Sequence, residues 1–130
     1  MSSSGPPPAP LQLKENGDGS APLGTTRVAN EVVASIAALA ALQVEGVHAM
    51  YRPGDVSIDR IVRRSQAHRG VRVELRDDAL HLDLYIVMEA GTNVSVVGTA
   101  VQHRVAEAID RMLDLRVAEV NIFVSQVVFT

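Results

Sequence analysis

The arginines of this chain are spaced in a way that could bind an anion. Seven of them lie within positions 52–76, beside only three acids, Asp55, Asp59 and Glu74. The formal charge of this stretch is therefore 7 minus 3, or +4, whereas the whole chain carries -3. This asymmetry can attract nucleic-acid phosphate, an anionic membrane or an acidic protein to one surface. The candidate residues for binding an anionic partner are Arg52, Arg60, Arg63, Arg64, Arg69 and Arg72.

The same stretch has a plainer interpretation as a solvated loop whose arginines pair with the protein's own acids, and both interpretations stay open. Aromatic side chains, on which single-stranded nucleic acid stacks, are not interleaved with the arginines. We identify neither a Gly-x-x-Gly clamp nor exposed strand aromatics, the features that a small RNA-binding sheet would use. Nucleic-acid binding is therefore the alternative function rather than the favoured one.

Histidines and carboxylates offer weaker candidates for chemistry. The four histidines, at positions 48, 68, 81 and 103, include no short-spaced pair of the kind that binds zinc. His81 and Asp83 would share one strand face and could bind a metal or shuttle protons, but a solvated polar face explains them equally well. The adjacent acids Asp77 and Asp78 favour a turn over acid-base catalysis.

Nucleophilic catalysis needs a nucleophile, a base beside it and a group that orients the base. Ser95 and Ser125 lie in regular elements without a Gly-x-Ser-x-Gly context, and the chain has no Cys. Neither Gly-x-Gly-x-x-Gly nor a phosphate-binding Gly-Lys-Ser/Thr loop occurs. We therefore predict a protein that is not an enzyme, with no catalytic, cofactor-binding or metal-binding residues, no cofactor and no small-molecule substrate.

The composition is that of one ordinary domain. The chain has 130 residues, of which 47% are hydrophobic, and its few aromatic residues leave the core to Val, Ile, Leu and Ala. The absence of Cys agrees with a reducing compartment. We find no secretory signal and no apolar run long enough to cross a bilayer, so we expect an intracellular protein.

The first 24 residues are rich in Pro, Gly and Ser and lack the spacing that would bury a face. We predict a disordered tail over residues 1–24 and a single domain over residues 25–130. The proline-rich segment at positions 6–10 favours a spacer over a polyproline ligand.

Hydrophobic periodicity predicts the elements that position these residues. A short strand at residues 25–28 precedes a helix from Asn30, which can cap it, to about Leu42. Spacing places Val28, Val32, Ile36 and Leu39 on one face of that helix, widened by Ala37, Ala40 and Ala41. Gly46 permits a turn into a strand at residues 47–51, and a polar loop, with a helical turn around residues 58–62, continues to Gly70.

Alternation of apolar and polar residues predicts a hairpin of two antiparallel strands, residues 71–76 and 80–88, joined at Asp77 and Asp78. A second helix, capped near Thr92 and Asn93, runs to about Met112, and a final strand covers residues 117–129 with a bulge around Ser125. The fold class is therefore α+β. The sequence predicts a small sheet of three to four strands covered by two helices, in the order helix, strand, hairpin, helix, strand.

Several short motifs follow one another in one order across about residues 25–129. The first half contributes Asn30-Glu31-Val32-Val33, Ile36-Ala37, Val44-Glu45-Gly46-Val47 and Met50. The second half contributes Gly70-Val71-Arg72-Val73-Glu74, Gly91-Thr92-Asn93-Val94, Val101-Gln102-His103-Arg104-Val105 and Val117-Ala118-Glu119-Val120-Asn121-Ile122. Together these motifs resemble the alkaline shock protein family of bacterial envelope-stress proteins.

The resemblance implies a non-enzymatic interaction or scaffold protein in bacterial cell-envelope homeostasis or the alkaline or general stress response. It implies a homo-oligomer and a membrane-anchored protein partner. The expected location is cytoplasmic, or peripheral at the inner face of the cell membrane through that partner. The family supplies no catalytic residues that could be transferred to this chain.

Overall fold

The computed structural model describes residues 23–52 and 67–129 as two helices and five strands. The helices are α1 (Asn30–Leu42) and α2 (Val94–Leu113). The strands are β1 (Val47–Met50), β2 (Ala67–His68), β3 (Val71–Arg76), β4 (Ala79–Glu89) and β5 (Val117–Val128). The predicted α+β class and element order are confirmed, with the two-residue β2 added beside the hairpin.

Strand β4 is the centre of the sheet. It pairs in parallel with β5 along almost its whole length, from Leu80 to Glu89. Its other side carries β3, antiparallel opposite Ala79 to Leu84, and then β1, antiparallel opposite Ile86 to Met88. Strands β3 and β1 therefore share one side of β4 end to end. In the part of the chain that the structure describes, β5 pairs with β4 alone and is an edge strand.

The hairpin between β3 and β4 turns at the two predicted residues. Asp77 and Asp78 have φ of 52° and 64°, and Arg76 pairs with Ala79 across the turn. Two successive positive φ values are those of the tight turn whose twist matches paired antiparallel strands, and aspartate tolerates this conformation better than most residues. The predicted turn is confirmed.

Both helices pack on the same face of the sheet. Leu80, Leu82, Leu84 and Ile86 of β4 are 0% exposed and join one core with residues of α1 and α2. The side chains between them, His81, Asp83 and Tyr85, point to the other face, which we call the open face and which no described helix covers. The described residues thus form two layers, the sheet and the two helices packed on one of its faces.

Helix α1 buries its alanines and exposes three of its large residues, Val32, Leu39 and Leu42. Val32 and Leu39, which the periodicity placed with Val28 and Ile36 on one apolar face, are 45% and 62% exposed. Val28 and Ile36 pack partly against the core. The residues that α1 buries include five alanines at 5% exposure or less, Ala34, Ala37, Ala38, Ala40 and Ala41. Small side chains let a helix lie close to its neighbours, and on the buried side of α1 only Val33 among the fully buried residues is larger than alanine.

Several predicted element ends are refined by the structure. The cap of α1 is Ala29, without a side-chain hydrogen bond, so Asn30 is the first helical residue rather than the cap. Asn93 caps α2 as predicted, because its side chain accepts a 3.1 Å hydrogen bond from the backbone N–H of Val96. The predicted bulge of β5 is confirmed, since Val124 pairs with Ile86 and Gln126 with Val87, which leaves Ser125 unopposed.

The strand predicted at residues 25–28 is reduced to one bridge residue, Arg27. The predicted tail, apart from Leu23 and Gly24, and the helical turn around residues 58–62 lie outside the described residues. Neither described helix is long and apolar enough to cross a membrane.

Candidate functional site

The structure describes three of the six candidate anion-binding arginines and separates them into two places. Arg52 and Arg69 line one groove, between α1 and β1. Arg72 lies on the open face, where its guanidinium Nη1 is 3.8 Å from Oδ2 of Asp83. Arg60, Arg63 and Arg64 lie outside the described residues. Binding of an anionic partner by the whole set therefore stays a prediction.

The groove beside α1, which we call the α1 groove, has a volume of about 470 Å³. Helix α1 forms one wall and β1 the other, and Arg69 comes from the turn between β2 and β3. Gly70, next to Arg69, lies so close to Tyr51 that an added Cβ would be 2.9 Å from the Tyr51 carbonyl oxygen. This close approach brings Arg69 near the end of β1, which Arg52 follows after one residue. The lining residues are Ser35, Ala38, Leu39, Leu42, His48, Ala49, Met50, Arg52 and Arg69.

A polar network on the open face joins β4 to β5. The side-chain amide of Asn121 donates hydrogen bonds to Asp83 Oδ1 at 3.0 Å and to Glu119 Oε2 at 2.8 Å. Nδ1 of His81 lies 3.5 Å from Glu119 Oε1, has no well-formed hydrogen bond and is screened from solvent. The parallel register explains the cluster, because Glu119 pairs with His81 and Asn121 with Asp83.

The hydrogen bond from Asn121 is the main cause that lowers the pKa of the Glu119 carboxyl below its ordinary value. The nearby His81 and Arg76 lower that pKa further, while partial desolvation opposes the shift. A carboxylate held ionised in this way is a hydrogen-bond acceptor rather than a general acid. Among residues 23–52 and 67–129, no three His, Cys, Asp or Glu side chains are arranged to hold a metal ion.

Two aromatic residues that are far apart in sequence stack on the open face. The rings of Tyr85 and Phe123 have centroids 5.0 Å apart and are inclined by 16°. The register of β4 and β5 places them opposite one another, and Phe123 is 45% exposed. The expectation that the strands expose no aromatic residue is wrong, because Phe123 lies exposed on β5. The stack can be predicted from the sequence only when β4 and β5 are known to pair in parallel in this register.

The second half of β5 is apolar and exposed. Phe123, Val124 and Val127 are 45%, 36% and 44% exposed, and Phe129, just beyond the strand, is 84% exposed. Residues 120–129, which we call the edge segment, contain no charged residue, no Gly and no Pro. Charged side chains and Pro are two of the features with which proteins protect a free strand edge from pairing, and the bulge at Ser125 is a protective feature that this segment does have. Because it lacks charge and Pro, the edge segment can accept another strand.

Comparison with known proteins places this geometry in a family. Residues 18–129 match the alkaline shock protein family, described as having a cell envelope-related function. The chain is similar to the uncharacterized protein YloU of Bacillus subtilis (strain 168), with 32% identity over 106 residues, 80% of this chain and 88% of YloU. It is also similar to the uncharacterized protein YqhY of the same organism, with 31% identity over 109 residues, 82% of this chain and 79% of YqhY. The uncharacterized protein Spy1614 of Streptococcus pyogenes is 26% identical over 106 residues, 80% of this chain and 88% of Spy1614. No solved structure matches the chain at a significant level.

Proposed function

Because the chain belongs to the alkaline shock protein family that its motifs resemble, its function is related to the cell envelope, and we propose that it acts there as a non-enzymatic scaffold. In this proposal the protein serves bacterial cell-envelope homeostasis or the alkaline or general stress response. It works by binding a second copy of itself and a membrane-anchored protein partner.

The free edge of β5 is the observation that supports self-association. Its second half exposes apolar side chains along a strand that only β4 pairs among the described residues. No charged residue follows Glu119 in the sequence. An exposed, uncharged edge of this length has unpaired backbone groups that another strand can satisfy.

A second copy of the chain fits this edge in an antiparallel arrangement. In a two-fold contact, the edge segment of one protomer would lie against the same segment of its partner. Every residue brought into the pair would be uncharged, so no like charges would oppose one another. At the start of β5, Gln102 of α2 already donates a 3.0 Å hydrogen bond to the Val120 carbonyl, which favours pairing beyond Val120.

Sedimentation analysis over a range of protein concentrations tests the proposed contact. Val127→Lys places a charge in the apolar pair, and we expect it to weaken self-association at least about tenfold, or ~1.4 kcal/mol. Val96→Lys is the matched control, because Val96 on α2 is 64% exposed, compared with 44% for Val127. A wild-type protein that stays monomeric at high concentration, or equal weakening by both variants, would refute the contact.

The envelope-related description of the family supports the second part of the proposal, a membrane-anchored protein that holds the assembly at the inner face of the cell membrane. Crosslinking in cells, followed by separation of membrane and soluble fractions, tests this part. We expect crosslinked products with an integral membrane protein. Recovery of the protein only as free or self-crosslinked material would exclude such a partner.

Nucleic-acid binding is the alternative function, and the stacked Tyr85 and Phe123 are the observation in its favour. The charges around this stack weigh against it. Arg72 lies 3.8 Å from Asp83, and the Arg76 guanidinium lies 3.7 Å from Glu74. With Glu119 also on the open face, acids outnumber these arginines and would repel phosphate. Binding of single-stranded RNA that weakens steeply between low and moderate salt would revive the alternative.

A further inference from the structure

We infer that the α1 groove is the docking site for an acidic amphipathic helix of a partner protein. The inference deepens the proposed function, on which it rests for the existence of a protein partner. It concerns a surface of α1 and β1, whereas self-association is assigned to β5. The two contacts can therefore be tested separately.

The exposed side of α1 has the spacing of a helix-packing seam. Val32, Ser35, Leu39 and Leu42 follow one another at steps of three, four and three residues, which are the steps between core positions of a coiled coil. Val32, Leu39 and Leu42 are 45%, 62% and 43% exposed. A helix that buries alanines and leaves large aliphatic residues in solvent gains from a partner that covers them.

The groove beside this seam is lined by residues of both α1 and β1. Ala38 is a buried part of its lining, while Ala49 and Met50 of β1 are half-buried opposite the helix. Leu39 and Leu42 belong to both the seam and the groove lining. A helix laid along α1 would place its own large residues between the seam and β1.

Two arginines in the groove favour a negatively charged partner helix. Arg52 and Arg69 are exposed in the groove lining, and neither forms an ion pair with a carboxylate among the described residues. His48, also in the lining, already lies 3.9 Å from Glu89. Carboxylates beside the apolar stripe of a partner helix would complement the two guanidinium groups.

A second copy of this chain is a poorer occupant of the groove. Symmetric contact of two α1 grooves would place the Arg52 and Arg69 of both protomers on one interface, where like charges repel. A lipid headgroup would match the two arginines but would leave the seam uncovered for most of its length. The seam extends over residues 32–42, or about 15 Å at roughly 1.5 Å per residue.

The test measures binding of a synthetic peptide to the full chain by fluorescence anisotropy. The probe is a helix-restrained peptide, about three heptads long, with leucine at the core positions and glutamate beside them. One control peptide replaces each glutamate with lysine, and another scrambles the acidic sequence so that its leucines no longer form a stripe. We expect the acidic amphipathic helix to bind at least about tenfold more tightly than either control peptide.

Variants of the protein locate the binding surface. Leu39→Glu and Arg52→Glu should each weaken binding of the acidic helix at least about tenfold. The matched controls on α2 are Met112→Glu, where Met112 is 67% exposed, and Arg111→Glu, where the Arg111 side chain is 71% exposed. Both controls should bind like the wild type. Leu39 is exposed, so its replacement leaves the core intact.

Equal binding of the lysine or scrambled peptide, or no effect of Leu39→Glu, would overturn the inference. So would a loss of self-association in Leu39→Glu, which would assign the groove to a second copy. If the wild type binds vesicles of anionic lipid but not the peptide, and Leu39→Glu abolishes the vesicle binding, the groove would be assigned to a lipid surface. Sedimentation of the same samples separates the two proposals, because a monomer that binds the acidic helix refutes self-association and leaves the groove assignment standing.

Discussion

The side-chain amide of Gln102 donates a 3.0 Å hydrogen bond to the backbone carbonyl of Val120 and so ties α2 to the first half of β5. The bond satisfies the backbone carbonyl of Val120, whose side chain is 8% exposed and belongs to the core. Beyond this point the exposed apolar residues of β5 begin. Helix α2 therefore fixes the start of the edge strand and leaves its second half accessible.

Removal of this bond should destabilise the domain. We expect Gln102→Ala to lower the free energy of unfolding by about 1 kcal/mol, and Gln102→Glu, which keeps the size but removes the donor, by at least as much. Urea unfolding measures both. His103→Ala is the control, because His103 is the next residue of α2 and is exposed. Equal effects at the two positions would mean that the bond adds nothing to stability.

Two glycines should respond in opposite ways to the same substitution. Gly46 has φ of 103°, and a Cβ there would lie 2.8 Å from Cγ2 of Val97. We expect Gly46→Ala to cost about 2 kcal/mol or more, through backbone strain and steric overlap. Gly98 lies within α2 with nothing within 4 Å of an added Cβ, so Gly98→Ala should stabilise by roughly 0.5–1 kcal/mol. Thermal unfolding of both variants checks the difference in sign.

The burial of alanine in α1 leads to a prediction about side-chain size. Leu39→Ala should change the free energy of unfolding by less than about 0.5 kcal/mol, because Leu39 is 62% exposed. Ala37→Leu should cost roughly 1–3 kcal/mol, because Ala37 is 0% exposed and a larger residue would force α1 away from its neighbours. Chemical unfolding of the two variants distinguishes them. A larger loss for Leu39→Ala would show that α1 packs through the face predicted by periodicity.

The lowered pKa of Glu119 should depend on Asn121. A carboxyl whose pKa is lowered in the folded state adds stability above its unfolded pKa, and this stability is lost as pH falls through the lowered pKa. Asn121→Ala removes the main cause of the shift, so the pKa of Glu119 should rise toward its ordinary value, and the loss of stability at acid pH that Glu119 contributes should become smaller. NMR titration of the Glu119 side-chain carboxyl measures the change, with Gln126→Ala on the same strand as control. An unchanged titration midpoint in Asn121→Ala would contradict the assignment.

Local chemistry made much of the fold predictable. The positive φ values at Asp77 and Asp78 follow from a tight hairpin turn, and the break in alternation at Ser125 marked the bulge. The buried face of α1 was not predictable in the same way, because periodicity assigns the largest residues to the core. The space between α1, α2 and the sheet admits alanine and leaves Leu39 in solvent.

The candidate sites needed contacts between residues that are distant in sequence. Arg52 and Arg69 were both recognised as basic residues, but only the fold shows that they line one groove beside Leu39. Tyr85 and Phe123 stack because β4 and β5 are parallel neighbours in a particular register, which no local pattern in the sequence specifies. Such pairings are set by tertiary packing rather than by local pattern.

The central claim, pairing of β5 with the β5 of a second copy, is tested most directly by disulfide formation between single-cysteine variants. The chain has no Cys, so each variant carries one thiol. Ser125 lies near the centre of the edge segment, and antiparallel pairing about that centre would bring the two Ser125→Cys thiols within reach of one another. We predict rapid formation of a covalent dimer by Ser125→Cys under mild oxidation and little by Val96→Cys, whose site is 64% exposed on α2. Equal rates for the two variants, or a faster rate for Val96→Cys, would contradict the claim.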